Sequence, residues 1–179
     1  IIQAITGEIG DPAEVAREAT RIQMDILRHP IGIQDQYAAT YPGLTMFTID
    51  TSGDVQTYSV GQPEGLVLFF TGFKRDANEV LKASTTEGLE RIQELAWETK
   101  KALDKKEYRK YGEILNEHWE FKKKRGGMTN PSIDEYYELG LKNGAVGGKL
   151  VGAGGGGFLL FYTEDKERLI KAMPLKHGP

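Results

Sequence analysis

A cluster of glycines near the end of the chain constrains the fold more than any other feature. Glycine makes up 22 of the 179 residues, about 12% against a usual ~7%, and nine of the 22 lie between Gly140 and Gly157. Five of the six residues from Gly152 to Gly157 are glycines. A flexible hairpin turn would need about two. The loop is therefore predicted to approach another backbone or a ligand closely.

This loop differs from the two common glycine-rich phosphate motifs. A Rossmann turn leads into a helix, whereas the run Phe158–Tyr162 that follows here is typical of a strand, and the Gly-Lys-Ser/Thr of a P-loop is missing. The remaining interpretation is a glycine turn between two strands, Ala145–Val151 and Phe158–Tyr162. Its N–H groups are suited to an anion.

The order of the other elements predicts an α+β fold. Cap residues and apolar spacing indicate helices that end near Arg28, Tyr41, Leu103, Lys124, Asn143 and Met173, and strands at Leu44–Ile49, Val55–Val60 and Leu66–Phe70. The apolar stripe of the first helix, Val15, Ala19, Ile22 and Ile26, is predicted to be core. The runs Leu66–Phe70 and Phe158–Tyr162 are predicted to be buried on both faces of a sheet that has its helices on one face. Gln62–Gly65 is the predicted boundary between domains 1–62 and 63–179.

Composition narrows the classes of function. The 26 acidic and 23 basic residues give a net charge of −3, so no basic field exists to gather nucleic acid, and no apolar stretch is long enough for a membrane span. Zero cysteines exclude disulfides and thiolate chemistry and fit the cytoplasm. The start at Ile1, with neither Met nor a signal sequence, suggests a fragment.

A few charged residues are candidates for chemistry. Asp35 follows a Pro/Gly turn near a helix start, where it either caps the helix or handles the proton of a substrate hydroxyl. Lys74 and Arg75 follow a predicted strand, where they are either solvated charges or contacts to an anion. The run Lys122–Arg125 is interpreted as a solvated helix end. The three histidines have no metal-ligand spacing.

Two segments together, Pro30–Ala39 with the letters PIGIQDQYAA and Gly148–Gly157 with GKLVGAGGGG, resemble motifs of the GHMP-type small-molecule kinases. The likeness is greatest to the kinases of D-glycero-D-manno-heptose 7-phosphate. GIQDQ is also similar to a galactokinase segment, and Phe73–Asp76 to a basic stretch of those enzymes. The resemblance implies a remnant of a ribosomal-protein-S5-like N-terminal domain joined to a ferredoxin-like C-terminal domain.

The resemblance also implies site residues and a reaction. Asp35 matches the aspartate that accepts the proton of the attacking sugar hydroxyl, and Gln34, Tyr37, Lys74 and Arg75 are the expected substrate contacts. Gly152, Ala153, Gly154, Gly155 and Gly156 match the motif beside the ATP phosphates. The implied enzyme is an ATP-dependent kinase that uses Mg²⁺ and phosphorylates the anomeric hydroxyl of D-glycero-D-manno-heptose 7-phosphate. Its partners are ATP and the sugar phosphate, without nucleic acid or membrane, and a homodimer is left open.

The chain departs from the family pattern in several places. Gln23 stands where relatives usually have a magnesium-binding glutamate, and an amide is a weaker ligand for a hard cation. The serine-rich phosphate loop, the first strands and the last strand of the family are expected to be missing. The chain by itself is therefore expected to be inactive.

The sequence leaves several functions open. A galactokinase-like or fucokinase-like sugar 1-kinase is the alternative within the family. A non-catalytic ligand-binding fragment is the alternative outside it, and a truncated product that associates through unpaired strand edges is a third.

Overall fold

The computed structural model describes residues 7, 10–28, 32–74, 88–152 and 154–178. The chain divides into two units, residues 1–62 and 63–179. No helix within the described ranges is both long and apolar enough to cross a membrane.

The first helix of the N-terminal unit begins as predicted and ends differently. Helix α1 spans Pro12–Arg21, and the Asp11 carboxylate accepts hydrogen bonds from Ala13 N at 2.9 Å and Glu14 N at 3.2 Å. Such a cap satisfies N–H groups that a helix start leaves without a partner. The helix then widens into a π-helical turn, Ile22–Ile26.

The prediction that the apolar stripe of α1 is core is wrong for its second half. Val15 and Ala19 are half-buried, but Ile22 and Ile26 are 41% and 56% exposed. A π turn closes hydrogen bonds over one more residue than an α turn, as Leu27 N does on Ile22 O at 2.9 Å. The wider turn rotates later side chains away from the stripe.

Residues 32–62 of this unit contain a short helix followed by the predicted hairpin. Helix α2 spans Gln34–Thr40, and strands β1 (Thr45–Ile49) and β2 (Val55–Ser59) pair antiparallel. The Asp50 carboxylate closes the hairpin loop, because it accepts hydrogen bonds from Ser52 N and Asp54 N, both at 2.9 Å. The hydrogen bond from the Ser52 hydroxyl, together with these backbone bonds, lowers the pKa of Asp50.

The C-terminal unit contains an antiparallel sheet of order β4-β5-β3-β6. Its strands are β3 (Leu66–Phe70), β4 (Ala145–Leu150), β5 (Phe158–Thr163) and β6 (Lys176–His177). The expectation that the last strand is missing is wrong, because β6 pairs with β3 through Phe69 and Phe70. This strand has only two residues, too few to show a sequence pattern.

Four helices in the described part of this unit accompany the sheet, which confirms the α+β class. They are α3 (Leu89–Asp104), α4 (Tyr108–Lys124), α5 (Pro131–Lys142) and α6 (Lys166–Ala172). Apolar side chains of α4, α5, α6 and the sheet form a core around Trp119, Phe69 and Phe161, all fully buried. Asn130 caps α5 by accepting a hydrogen bond from Ile133 N at 3.0 Å.

The two apolar strand runs are not buried on both faces, which corrects the sequence prediction. On β3, Val67 and Phe69 are buried, whereas Leu68 between them is 37% exposed. Phe158 on β5 is 45% exposed. Alternate residues of a strand point to opposite faces, so helices cover one face and the other is only partly shielded by the described chain.

Glycines outside the loop let α4 approach the sheet closely. A Cβ at Gly147 on β4 would lie 2.0 Å from the carbonyl oxygen of Gly112 on α4. Real Cβ atoms essentially never come nearer than 3.0 Å to such an atom. The hydroxyl of Tyr137, on α5, lies 2.7 Å from Asn116 Oδ1 and 3.1 Å from Gly148 O. Helix α4 and the Tyr137 hydroxyl thus fix the position of β4. This strand leads into the glycine loop.

Candidate functional site

The first turn of α2 presents the carboxylate of Asp35 to solvent. Ile33 is the N-cap, and no side chain caps this helix. The prediction that Asp35 merely caps the helix is therefore wrong. Asp35 is exposed and has no hydrogen-bond or ion-pair partner in the described chain. An exposed carboxylate without a partner can accept a proton from a bound hydroxyl.

Gln23 is held against the residue that follows Asp35. The side-chain amides of Gln23 and Gln36 contact each other, and Gln36 is buried. With its amide turned, Gln36 donates to Ile33 O at 2.8 Å and Gly32 O at 3.2 Å. The structure therefore brings the turn that carries Gln23 to the start of α2.

This neighbourhood does not by itself form a magnesium site. Mg²⁺ takes oxygen ligands, in most sites one or two carboxylates together with substrate phosphates. Gln23 offers a neutral amide that is already in contact with Gln36. No group of three or more His, Cys, Asp or Glu suited to a metal ion occurs among the residues that the structure describes.

The other two predicted contacts on α2 differ in exposure. Gln34 is exposed at the first helical position. Tyr37 is buried, with its ring stacked on Tyr41 at 6.3 Å between centroids and edge-on to Phe47 at 6.0 Å. Ring packing accounts for Tyr37 without a ligand.

The glycine loop of the C-terminal unit is held by backbone hydrogen bonds to two other loops. Gly155 N donates to Met128 O at 2.8 Å, and Gly157 N donates to Phe73 O at 2.9 Å. Gly157 O accepts from both Thr71 N and Thr71 Oγ1 at 2.9 Å. The loop is thus hydrogen-bonded on one side to Met128 and on the other to Thr71 and Phe73. It is therefore not a flexible hairpin turn.

Close packing explains two of the glycines. A Cβ at Gly156 would lie 2.6 Å from Phe73 O, and one at Gly154 would lie 3.0 Å from Met128 Sδ. The prediction of close approach is thus confirmed for approach to protein backbone. The N–H groups of Gly154 and Gly156 have no acceptor among the described residues. Backbone N–H groups in such loops can bind an anion. Gly152 lies at the start of the loop, two residues after the end of β4. Ala153 lies outside the described residues.

The predicted basic pair begins beside this loop. Lys74 is exposed and directly follows Phe73, whose carbonyl accepts the hydrogen bond from Gly157. Arg75 lies outside the described residues. The predicted site residues therefore fall into two groups, one around Asp35 in the N-terminal unit and one around the glycine loop in the C-terminal unit.

The interpretation of Lys122–Arg125 as a solvated helix end is wrong for Lys122. Lys122 is half-buried, and its ammonium group donates a hydrogen bond to Gly152 O. Burial, with smaller effects of Lys149 and Arg125, lowers the pKa of Lys122 to about 8. Lys123 lies over the rings of Trp119 and Tyr137, so it too is only partly solvated.

His118 lies one helical turn before Lys122 and belongs to the same cluster. Burial, followed by the charges of Lys149, Lys122 and Arg125, lowers the pKa of His118 to about 3. Sequence reasoning missed this cluster. The available signals were the i, i+4, i+7 spacing of His118, Lys122 and Arg125 on one helix and the position of Lys149 just before the glycine loop.

Comparison with known proteins defines the class. Residues 99–179 match the family GHMP kinases C terminal. The chain is 29% identical over 184 positions to D-glycero-alpha-D-manno-heptose 7-phosphate kinase from Campylobacter jejuni, covering 92% of this chain and 54% of the relative. It is 31% identical over 159 positions to the bifunctional fucokinase/GDP-fucose pyrophosphorylase of Arabidopsis thaliana, covering 76% of this chain and 15% of that protein.

A solved structure agrees with these sequence matches. It is a D-glycero-D-manno-heptose 1-phosphate kinase from Bacteriodes thetaiotaomicron, with a TM-score of 0.67 and 26% identity over 94% of this chain and 51% of the other. The sequence matches and the fold comparison thus agree on the class of protein that this chain resembles. The chain carries a GHMP kinase C-terminal domain, which confirms the family resemblance. It spans about half the length of the heptose kinases that it matches.

Proposed function

We propose that this chain is part of an ATP-dependent sugar kinase that phosphorylates the anomeric hydroxyl of D-glycero-D-manno-heptose 7-phosphate. The observation that supports this most directly is the match of 92% of the chain to a heptose 7-phosphate kinase. We further propose that residues 1–62 are part of an N-terminal GHMP kinase domain and that residues 63–179 are the C-terminal domain. The donor ATP favours the cytoplasm as the compartment.

In this proposal Asp35 accepts the proton of the sugar hydroxyl. The hydroxyl oxygen attacks the γ-phosphorus of ATP, the new O–P bond forms as the bond to the ADP oxygen breaks, and the proton moves to the Asp35 carboxylate. The exposure of Asp35 and its lack of a partner among the described residues support this role.

The glycine loop is proposed to stabilise negative charge on the phosphates. The amides of Gly154 and Gly156 are without acceptors in the described chain, and the bonds at Gly155 and Gly157 hold the loop in place. Preorganised N–H groups stabilise developing charge without reorganising during the reaction. A bound Mg²⁺ would neutralise charge on the ATP phosphates, and the described residues contain no cluster of three or more His, Cys, Asp or Glu to hold it.

The remaining substrate contacts are proposals of the same kind. Gln34, exposed beside Asp35, is proposed to hydrogen-bond the sugar. Lys74 and Arg75 are proposed to hold the remote 7-phosphate, because a lysine and a bidentate arginine are common phosphate contacts. Tyr37 is proposed to act by supporting α2, since its ring is buried.

A kinase of fucose or a similar sugar is the second candidate, favoured by the 31% identity to a protein that contains fucokinase. The experiment that separates the two is ADP release by the full-length gene product with ATP and Mg²⁺. The sugars are the heptose 7-phosphate, free heptose, fucose and galactose. Release that requires the 7-phosphate supports the first proposal, and release with fucose or galactose supports the second. No release from folded protein favours the non-catalytic alternative.

A further inference from the structure

Four basic side chains converge where α4 ends beside the glycine loop. His118 and Lys122 lie four residues apart on one face of α4, and Arg125, three residues further on, is the C-cap residue of that helix. Lys149 comes from β4, which packs against α4 through the Gly112–Gly147 contact. We name these four residues the basic cluster.

The members of the basic cluster interact electrostatically with one another and are partly buried. The charges of Lys149 and Arg125 act on Lys122, and those of Lys149, Lys122 and Arg125 act on His118. His118, Lys122 and Lys149 are half-buried. His118 Nδ1 is buried and has no hydrogen-bond partner within the described part of the chain. Like charges brought together out of water destabilise the fold unless something offsets them.

The acidic residues of the same helix are engaged elsewhere. Glu117 pairs with Arg91 at 2.7 Å, Glu120 pairs with Lys123 at 2.7 Å, and Glu113 lies 3.8 Å from Lys110. Neither Lys122 nor Lys149 has an ion pair with any residue that the structure describes. Carboxylates of the described chain therefore do not offset the charges of these two lysines.

We propose that the basic cluster is a binding site for a phosphate group, adjoining the glycine loop. The lysines supply point charges, the guanidinium suits bidentate contact with phosphate oxygens, and the imidazole supplies a hydrogen-bonding nitrogen. Lys122 also donates a hydrogen bond to Gly152 O, at the start of the glycine loop. A phosphate bound at the basic cluster would therefore contact a residue that is hydrogen-bonded to the loop.

The cluster can receive its phosphate from two sources, the nucleotide or a phosphorylated sugar. Binding of the phosphate does not require catalysis, so the inference stands without the proposed kinase reaction. Its identity as a nucleotide or sugar phosphate does rest on that proposal. The test therefore measures binding and leaves turnover to the ADP-release experiment.

The test uses calorimetric titration of the full-length gene product with tripolyphosphate, with Lys149→Met as the variant. Methionine has a similar length and no charge. We expect the Kd for tripolyphosphate to rise about tenfold or more, because a hydrogen bond to a charged group contributes ~1.5–3 kcal/mol. The matched control is Lys124→Met, an exposed lysine at the same helix end that lies over the Phe121 ring outside the cluster. Its Kd should stay within about twofold.

Thermal unfolding without anion separates this site from a structural role. Because Lys149 is half-buried beside like charges, Lys149→Met should keep or raise the Tm, whereas the stabilisation by tripolyphosphate should shrink. A lower Tm without anion would show that Lys149 stabilises the fold in the absence of a ligand, and would overturn the proposal. Equal loss of affinity in both variants, or no binding to the unaltered protein, would overturn it too.

The two sources are distinguished by repeating the titration with ADP and with heptose 7-phosphate. If the cluster binds the nucleotide phosphate, Lys149→Met should weaken ADP by about tenfold and leave the sugar phosphate unchanged. The reverse pattern assigns the cluster to the sugar phosphate. Loss of tripolyphosphate binding alone, with both substrates unaffected, would contradict a role for the site in binding either of them.

Discussion

Replacing Gly156 by alanine tests whether the glycine loop is built for close approach to the Phe73 loop. The new Cβ would lie 2.6 Å from Phe73 O and 2.9 Å from the carbonyl carbon, whereas ordinary contact begins at 3.4 Å. The Phe73 backbone would therefore have to move by about 0.8 Å. That backbone also accepts the hydrogen bond from Gly157 N at 2.9 Å.

The expected cost follows from these two contacts. Forcing an extra methyl group into a packed site costs about 1–3 kcal/mol, and loss of one hydrogen bond costs ~1 kcal/mol. We expect Gly156→Ala to lower the free energy of unfolding of the C-terminal unit by about 2–4 kcal/mol. For a chain of this size, each kcal/mol lowers the Tm by about 2–4 °C.

Denaturant unfolding followed by tryptophan fluorescence measures this change. Both tryptophans, Trp97 and Trp119, lie in the C-terminal unit, so their emission reports on that unit. Gly152→Ala is the matched control, because a Cβ there meets no atom within 4 Å and only its φ of +79° is strained. That strain costs about 1–2 kcal/mol. If Gly156→Ala destabilises no more than Gly152→Ala, the reasoning from close approach is refuted.

Three further predictions concern the site, the pH dependence and the core. Asp35→Asn should lower kcat by a factor of about 100 or more with little change in the Kd for ATP, and undiminished turnover would remove Asp35 from the proton-transfer step. The folded-state pKa of His118 is about 3, below its unfolded value near 6.5, so stability should fall as pH drops from 6.5 toward 3, by up to ~1.4 kcal/mol per pH unit. Denaturant titrations at several pH values measure how the free energy of unfolding changes with pH. This pH dependence should be weaker in His118→Gln than in the unaltered protein, and an equal dependence would contradict the burial of that imidazole. Tyr137→Phe should cost about 1–2 kcal/mol in free energy of unfolding, because it leaves Asn116 Oδ1 and Gly148 O without the hydroxyl, and an unchanged midpoint would show that these bonds add nothing.

Local chemistry made most of the fold predictable. Asp11 and Asn130 each precede a proline, and both cap the helices that the sequence predicts. The Asp50–Asp54 loop turns a hairpin because its carboxylates and small residues bond within the loop. These elements depend on residues a few positions apart, which a single sequence displays directly.

Burial was less predictable, because it depends on elements that are distant in sequence. Leu68 is as apolar as Val67 and Phe69, yet only the face toward the helices is buried. The exposure of Ile22 and Ile26 follows from a π turn, for which no sequence signal was found.

The candidate site shows the same division. Asp35 and the glycine loop stand out because short motifs carry them, and the structure adds their exposure and their contacts. The basic cluster was missed because its members come from two elements, α4 and β4, and a lysine run at a helix end is usually solvated. The two elements approach each other closely at Gly112 and Gly147, a contact between residues that are distant in sequence.

The central claim is transfer of the ATP γ-phosphoryl group to a phosphorylated heptose. Its most direct test is ADP release by the full-length gene product with ATP and Mg²⁺, comparing D-glycero-D-manno-heptose 7-phosphate with free heptose. We predict release with the 7-phosphate that falls by a factor of about 100 or more in Asp35→Asn and is weak with the free sugar. Equal release from both sugars, or none from either with folded protein, would contradict the claim.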